Sequence, residues 1–312
     1  MRVAVVDIGT NSTRLLIADI ADGVLTEVVR RSTVTRLGHG VDRTGVLADE
    51  AMQRVFATLA QYRALIDEHR AVASTAVLTS AVRDARNGPE FTETVRTRFG
   101  LEARAISGGE EARLSFLGAT SERSGDDRRI VVIDVGGGST ELVVGQHGDV
   151  DFHVSTQAGV VRHTERFLRS DPPRPEELQA LTAEARDIFQ ANLPADVRAA
   201  VAGGIAVAGT ATSCAAMVQE LDPYDPERVH GFRLLAAHCE MLLARLAGMT
   251  DEQRRGVAGL DPARAPTIVA GVALLLEAMR AFGLDEVEVS EHDILHGAAL
   301  DVVERVHERS GG

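Results

Sequence analysis

The segment DVGGGST (134–140) joins an acid to three glycines and two hydroxyls, directly after a run of apolar residues. Glycine permits positive φ and lets a ligand approach the main chain closely. Successive N–H groups in such a turn form an anion-binding concavity. Gly136, Gly137 and Gly138, with Ser139 and Thr140 as hydroxyl donors, are therefore candidate phosphate ligands. Asp134 points at the same place, where a bare carboxylate repels phosphate; a hard cation such as Mg²⁺ between the two reverses that sign. Residues 139, 141 and 143 share a strand face. Glu141 is thus a second candidate for the metal or a water, or else an exposed strand glutamate.

Three other segments carry usable chemistry. In ISGGEEARLSF (106–116), Ser107 and Glu110 fit a helix capping box, which leaves Glu111 in the first helical turn to orient or deprotonate a water. In STAVLTSAVRDARN (74–87) a strand leads to Arg83, whose guanidinium fork matches phosphate oxygens or pairs with Asp84 or a surface acid. AVAGTATS (206–213) places Gly209 and Thr210 at a strand-to-helix turn, where N–H groups meet an anion or simply start a helix. Arg162, Arg166 and Arg169 are spaced to lie on one side of a helix. The histidines have no HExxH spacing, and His292 with His296 reads as a coincidence of one helix face.

The elements that must position these groups follow from periodicity. Strands are expected near 2–7, 13–20, 24–31, 72–79 and 102–106, and helices near 48–69, 88–99 and 109–119. The polar stretch TSERSGDDRR (120–129) breaks the pattern and marks a boundary between domains 1–124 and 125–312, with the last helix free to pack back on the first domain. Strands resume at 130–135, 139–146, 149–155, near 199–203 and near 286–290, before a final helix near 293–308.

The second half begins as the first did. AVVDIGTNSTRLLIADI (4–20) and VVIDVGGGSTELVVGQH (131–147) align at a constant offset of 127 residues. Asp7/Asp134, Gly9/Gly136, Ser12/Ser139 and Thr13/Thr140 coincide, and Glu141 takes the place of Arg14. A repeat this long indicates two similar β-rich units with a cleft between them. Asp7, Gly9, Asn11 and Ser12 would then face the phosphate site from the other half.

Composition narrows the chemistry. None of the 33 basic residues among 312 is a lysine. That removes a P-loop lysine, a Schiff-base lysine and the strand lysine of protein kinases. Phosphate must be held by arginine, main-chain N–H groups or a metal. The net charge of -13 argues against a nucleic-acid-coating surface. The longest apolar stretch, 265–279, is too short to span a membrane and carries Glu277. Two cysteines form no framework, so a reducing cytoplasm is the expected location.

Taken together, DIGTNS, TSAVRDA, SGGEEARL, DVGGGSTEL, AGTAT and VSEHDILHGAAL resemble the exopolyphosphatase and guanosine pentaphosphate phosphohydrolase family over essentially the whole chain. The resemblance implies an α/β fold of two ribonuclease H-like domains of the actin-like ATPase superfamily, closing on a cleft, in a protein that is often a homodimer. It implies Glu111 as general base, Asp134 and Glu141 as metal ligands, and Mg²⁺ or another divalent cation as cofactor. Arg83, Asp7, Gly9, Asn11, Ser12, Gly136, Gly137, Gly138, Ser139, Thr140, Gly209 and Thr210 would handle phosphate. The implied reaction is release of orthophosphate from inorganic polyphosphate. The alternatives are hydrolysis of guanosine pentaphosphate, or a non-catalytic sensor of polyphosphate or guanosine tetraphosphate. Pro266 and His296 depart from the family pattern, and the chain resembles the short form without the further helical domain.

Overall fold

A computed structural model describes residues 1–123 and 127–310. The chain divides into two compact units. One is Met1–Gly118 with the segment from Asp293 onward, and the other is Ala119–His292. The boundary expected at 124/125 lies outside the described residues.

The first unit carries β1 (Arg2–Ile8), β2 (Ser12–Ala21), β3 (Val24–Val34), β4 (Ala73–Leu78) and β5 (Glu102–Ala105). Their order is β3-β2-β1-β4-β5, with β1, β2 and β3 antiparallel and β1, β4 and β5 parallel. The central strand reads as a nearly unbroken apolar run because both of its faces are covered. Ala4, Val6 and Ile8 join one buried cluster, with Val55, Leu59 and Ile66 of the helix Asp49–Glu68. Val3 and Val5 join another, with Ile294, Leu295, Ala298 and Ala299 of the helix Ile294–Ser310. Burying a side chain the size of Ile294 or Leu295 contributes about 2 kcal/mol, so this sequence-distant helix is a fixed part of the first unit. Its close approach to the helix Gly108–Thr120 requires glycine at the crossing: a Cβ on Gly297 would sit 1.9 Å from the Leu114 carbonyl oxygen, and one on Gly118 1.9 Å from that of Asp293.

The second unit carries β6 (Ile130–Val135), β7 (Thr140–Gln146), β8 (Asp149–Thr156), β9 (Gly203–Val207), β10 (Arg233–Leu235) and β11 (Glu286–Val289). Read from β8, the order is β8-β7-β6-β9-β11-β10, again an antiparallel trio followed by parallel strands, with β10 as an added antiparallel edge. Both sheets thus share the ribonuclease H-like order. The strand expected near 199–203 instead runs Gly203–Val207, because Ala195–Ala199 forms a short helix and parallel pairing begins at Gly203 opposite Ile130. The core of this unit is one large cluster around the helix Ile268–Ala281, with a smaller one where Leu181 meets Ala270 and Ala273 of the same helix. Among the described residues, no helix is long and apolar enough to cross a membrane.

Candidate active site

The two repeats fold into the same turn. Gly9 donates its N–H to the Ser12 carbonyl at 2.9 Å, and Gly136 donates to the Ser139 carbonyl at 2.9 Å. The neighbouring carbonyls are also committed. Asn11 accepts from Thr35 and Arg36, and Thr10 from Gly38. Gly136 accepts from Val160, Gly137 from Val161, and Gly138 from Arg162 Nε at 3.0 Å. The N–H groups of Gly137 and Gly138 make no hydrogen bond among the described residues, nor do the side chains of Asn11, Ser12 and Ser139. Each turn therefore spends its acceptors inward and keeps donors in hand, which suits an anion.

Of the two reasons expected for glycine, positive φ does not apply here. None of Gly136, Gly137 and Gly138 has positive φ. What the loop needs is space: a Cβ on Gly159 would fall 2.2 Å from the Gly138 carbonyl carbon and 2.4 Å from the Gly137 oxygen. Gly159→Ala is expected to destabilise the protein by about 3 kcal/mol and to displace the loop. Urea denaturation and phosphate-release rates would read both effects.

Two hydroxyls expected to meet phosphate do not have a proton to offer it. Thr140 is fully buried and donates to the Ala158 carbonyl, as its counterpart Thr13 pairs with Thr35 inside the first unit. Thr210 donates to the Val135 carbonyl at 3.2 Å, tying the helix Ala208–Val218 to β6. Gly209 lies against the Arg264 guanidinium, where a Cβ would be 1.9 Å from a terminal nitrogen. Arg169 lies beyond the helix Val160–Phe167, so the arginine stripe is shorter than its spacing suggested.

The acids of the two turns are treated differently. In the first unit Asp7 sits opposite Arg14 across β1 and β2, and its Oδ2 accepts from Arg14 Nε at 2.9 Å and Nη2 at 2.6 Å. Asp7 thus has its positive partner within the first unit, in Arg14. Its Oδ1 is buried and has no hydrogen-bond partner among the described residues. Burial raises the Asp7 carboxyl above its ordinary value against the opposing pull of Arg14. Arg14 also bonds Asp293, which accepts from the Leu295 N–H at 3.0 Å and so caps the final helix. Burial pushes Asp293 up, but the charges of Arg14, Arg30 and His296 prevail and hold it at about 2.

A carboxyl depressed in the folded state stabilises the fold above its unfolded pKa of about 4, and that contribution is lost as pH falls through the folded value. Asp293→Asn is therefore expected to flatten the loss of stability between about pH 4 and pH 2. Arg14→Ala strands two buried acids and should cost about 3–5 kcal/mol at neutral pH. Chemical denaturation across pH checks both.

Glu111 is also buried, at 7% exposure, on the first turn of the helix Gly108–Thr120. Its Oε2 accepts from Arg83 Nη1 at 3.0 Å, and the same nitrogen reaches the Ile106 carbonyl at 2.9 Å. The Arg83 partner is thus Glu111, while its Nε and Nη2 make no hydrogen bond among the described residues. Ser107 Oγ accepts from the Glu110 N–H at 3.1 Å, but the Glu110 carboxylate turns to Arg104 and Arg305, so only half of the capping box forms.

In the second unit Asp134 stands opposite Glu141 across β6 and β7, at the register that pairs Asp7 with Arg14 in the first. Directly opposed side chains on such a pair are about 5 Å apart at Cβ. Asp134 is 7% exposed and Glu141 1%. Ser155, opposite Glu141 on β8, donates to its Oε1 at 2.7 Å. Two buried carboxylates side by side are an all-oxygen donor set that a hard divalent cation fits, since the ion relieves their mutual repulsion.

Arg14, Asp293, Ser155 and Gly159 were not singled out from the sequence, and Arg162 only as part of a helical arginine stripe. Only Asp293 had a visible signal, an acid directly ahead of an apolar helical run. The others act through partners on other elements of the fold.

The sequence is similar to Exopolyphosphatase 2 of Mycobacterium tuberculosis, 39% identical over 96% of this chain and 98% of that protein. The crystal structure of an exopolyphosphatase-like protein superimposes with a TM-score of 0.90 at 35% identity, covering 98% of this chain and 100% of that one. The Aquifex aeolicus member of the Ppx/GppA protein family gives 0.81 at 32% identity, covering 98% of each chain. The Ppx/GppA phosphatase family matches residues 16–306. With twin turns, a shared strand order and these likenesses along nearly its full length, the chain belongs to the Ppx/GppA phosphatase family.

Proposed function

We propose that the protein is an exopolyphosphatase, a phosphoanhydride hydrolase that releases orthophosphate from the end of inorganic polyphosphate. The observation that carries this reading is the pair of turns whose carbonyls are consumed while N–H groups remain, one of them beside the buried Asp134–Glu141 pair. The likeness to Exopolyphosphatase 2 supports the choice of polyphosphate.

Asp134 and Glu141 would hold the divalent cation, with Ser155 fixing one Glu141 oxygen. When bound, that ion neutralises charge on the non-bridging phosphate oxygens. The N–H groups of Gly137 and Gly138 and the hydroxyl of Ser139 donate to the terminal phosphate. By the family resemblance, Asn11 and Ser12 of the first turn would add side-chain donors. Arg83 uses Nη1 to orient Glu111, and by the same resemblance its Nε and Nη2 would meet phosphate. Glu111 takes a proton from a water as that water bonds to the terminal phosphorus. The bond from that phosphorus to the bridging oxygen breaks, and the shortened polymer leaves with the oxygen. Positioning and charge neutralisation account for most of the acceleration in such transfers.

The resemblance also carries a homodimer and a cytoplasmic location as expectations. Phosphate release from polyphosphates of several lengths, with and without Mg²⁺ and beside guanosine pentaphosphate, tests the activity. Faster turnover of the nucleotide than of any polyphosphate would overturn the assignment.

A further inference from the structure

Outside this site, three segments of the second unit converge on a set of ligands of different chemistry. Glu122 follows the helix Gly108–Thr120, His230 follows the helix Pro226–Val229, and His292 precedes Asp293. Glu122 Oε2 lies 3.8 Å from His230 Nε2 and 3.8 Å from His292 Nδ1. The two imidazoles lie 4.6 Å apart at their centroids, inclined by 34°. One donor atom from each residue falls within 4.8 Å of the other two. We propose that Glu122, His230 and His292 bind a borderline transition-metal ion of the Zn²⁺ class, separate from the Asp134–Glu141 pair.

The donor types decide the class. Two imidazoles and a carboxylate suit Zn²⁺, Co²⁺ or Ni²⁺, whereas Mg²⁺ takes oxygen ligands. Tetrahedral Zn²⁺ with bonds of about 2.0–2.1 Å sets its donors about 3.3 Å apart, so the two 3.8 Å separations close by roughly half an ångström. All three side chains are at least partly open to solvent, so an ion can enter and keep water in the remaining position. Coordination has one local consequence. The Glu291 N–H donates to His230 Nδ1 at 3.2 Å. Binding through Nε2 puts the ring proton on Nδ1 and releases that amide. The chain enters the second unit at Ala119 and leaves it after His292. An ion on Glu122 and His292 therefore ties together the first and last segments of the unit, closing a long loop of chain.

The test uses the full-length chain, stripped with a chelator and held in excess Mg²⁺ to occupy the oxygen-ligand site. Zn²⁺ is then titrated calorimetrically and Co²⁺ followed by its visible absorption. The expected result is one equivalent bound, a tetrahedral Co²⁺ spectrum, a rise in Tm with Zn²⁺ and a shift of the Glu291 amide resonance. His230→Gln and His292→Gln should each weaken Zn²⁺ binding at least tenfold, while Glu141→Gln leaves it unchanged. Wild-type Zn²⁺ affinity in both histidine variants would overturn the proposal, as would loss of the site in Glu141→Gln. Glu122→Gln, at an exposed position, provides the same readout should a histidine variant fail to fold.

Discussion

Glu111→Gln is expected to lower kcat for phosphate release by about 10²–10⁴-fold, the range typical of general-base assistance, with KM changed only a few-fold. The amide keeps an acceptor for Arg83 Nη1, which also retains the Ile106 carbonyl. Arg83 should therefore hold its position while the proton acceptor is lost. If Glu111 served only to anchor Arg83, the variant would instead raise KM and spare kcat. Arg83→Lys supplies the contrast. Lysine offers a point charge in place of a fork, so it should loosen both the orientation of Glu111 and the grip on phosphate, raising KM and lowering kcat together. Undiminished turnover in Glu111→Gln would remove this residue from the chemistry.

Glu141→Gln is the second change with a large expected effect. Wild-type protein should gain thermal stability from Mg²⁺, because an ion between Asp134 and Glu141 relieves two adjacent buried charges. The variant keeps an acceptor for Ser155 and has one carboxylate fewer. Its Tm without divalent cation should match or exceed that of the wild type, its response to Mg²⁺ should vanish, and turnover should fall by about 10²–10³-fold, as for loss of a preorganised electrostatic group. A variant that unfolds more readily without metal and still responds to Mg²⁺ would show that Glu141 is a structural acid.

Much of this arrangement is legible in the sequence. The offset of 127 residues predicted two matching hairpins, and the register reproduces it, Asp7 opposite Arg14 and Asp134 opposite Glu141. The alternating burial of Val3, Ala4, Val5 and Val6 on two faces explains why β1 reads as continuous apolar sequence. Side-chain bonding was less legible. Thr140 and Ser139 are adjacent and chemically alike, yet opposite strand faces send one hydroxyl to Ala158 and leave the other uncommitted. The three histidine and glutamate ligands of the second unit lie on separate segments, so no local spacing announced them.

Local pattern and composition suffice for the repeated strand–turn–strand units and for the absence of lysine from any phosphate chemistry. These properties are carried by neighbours along the chain or by composition. Tertiary structure alone decided that Arg14 answers both Asp7 and Asp293, that Arg83 answers Glu111, and that Gly159 makes room for the phosphate loop. The physical reason is range. Backbone pattern is written within a few residues, whereas the partner of a buried charge is whichever group the fold brings within about 3 Å.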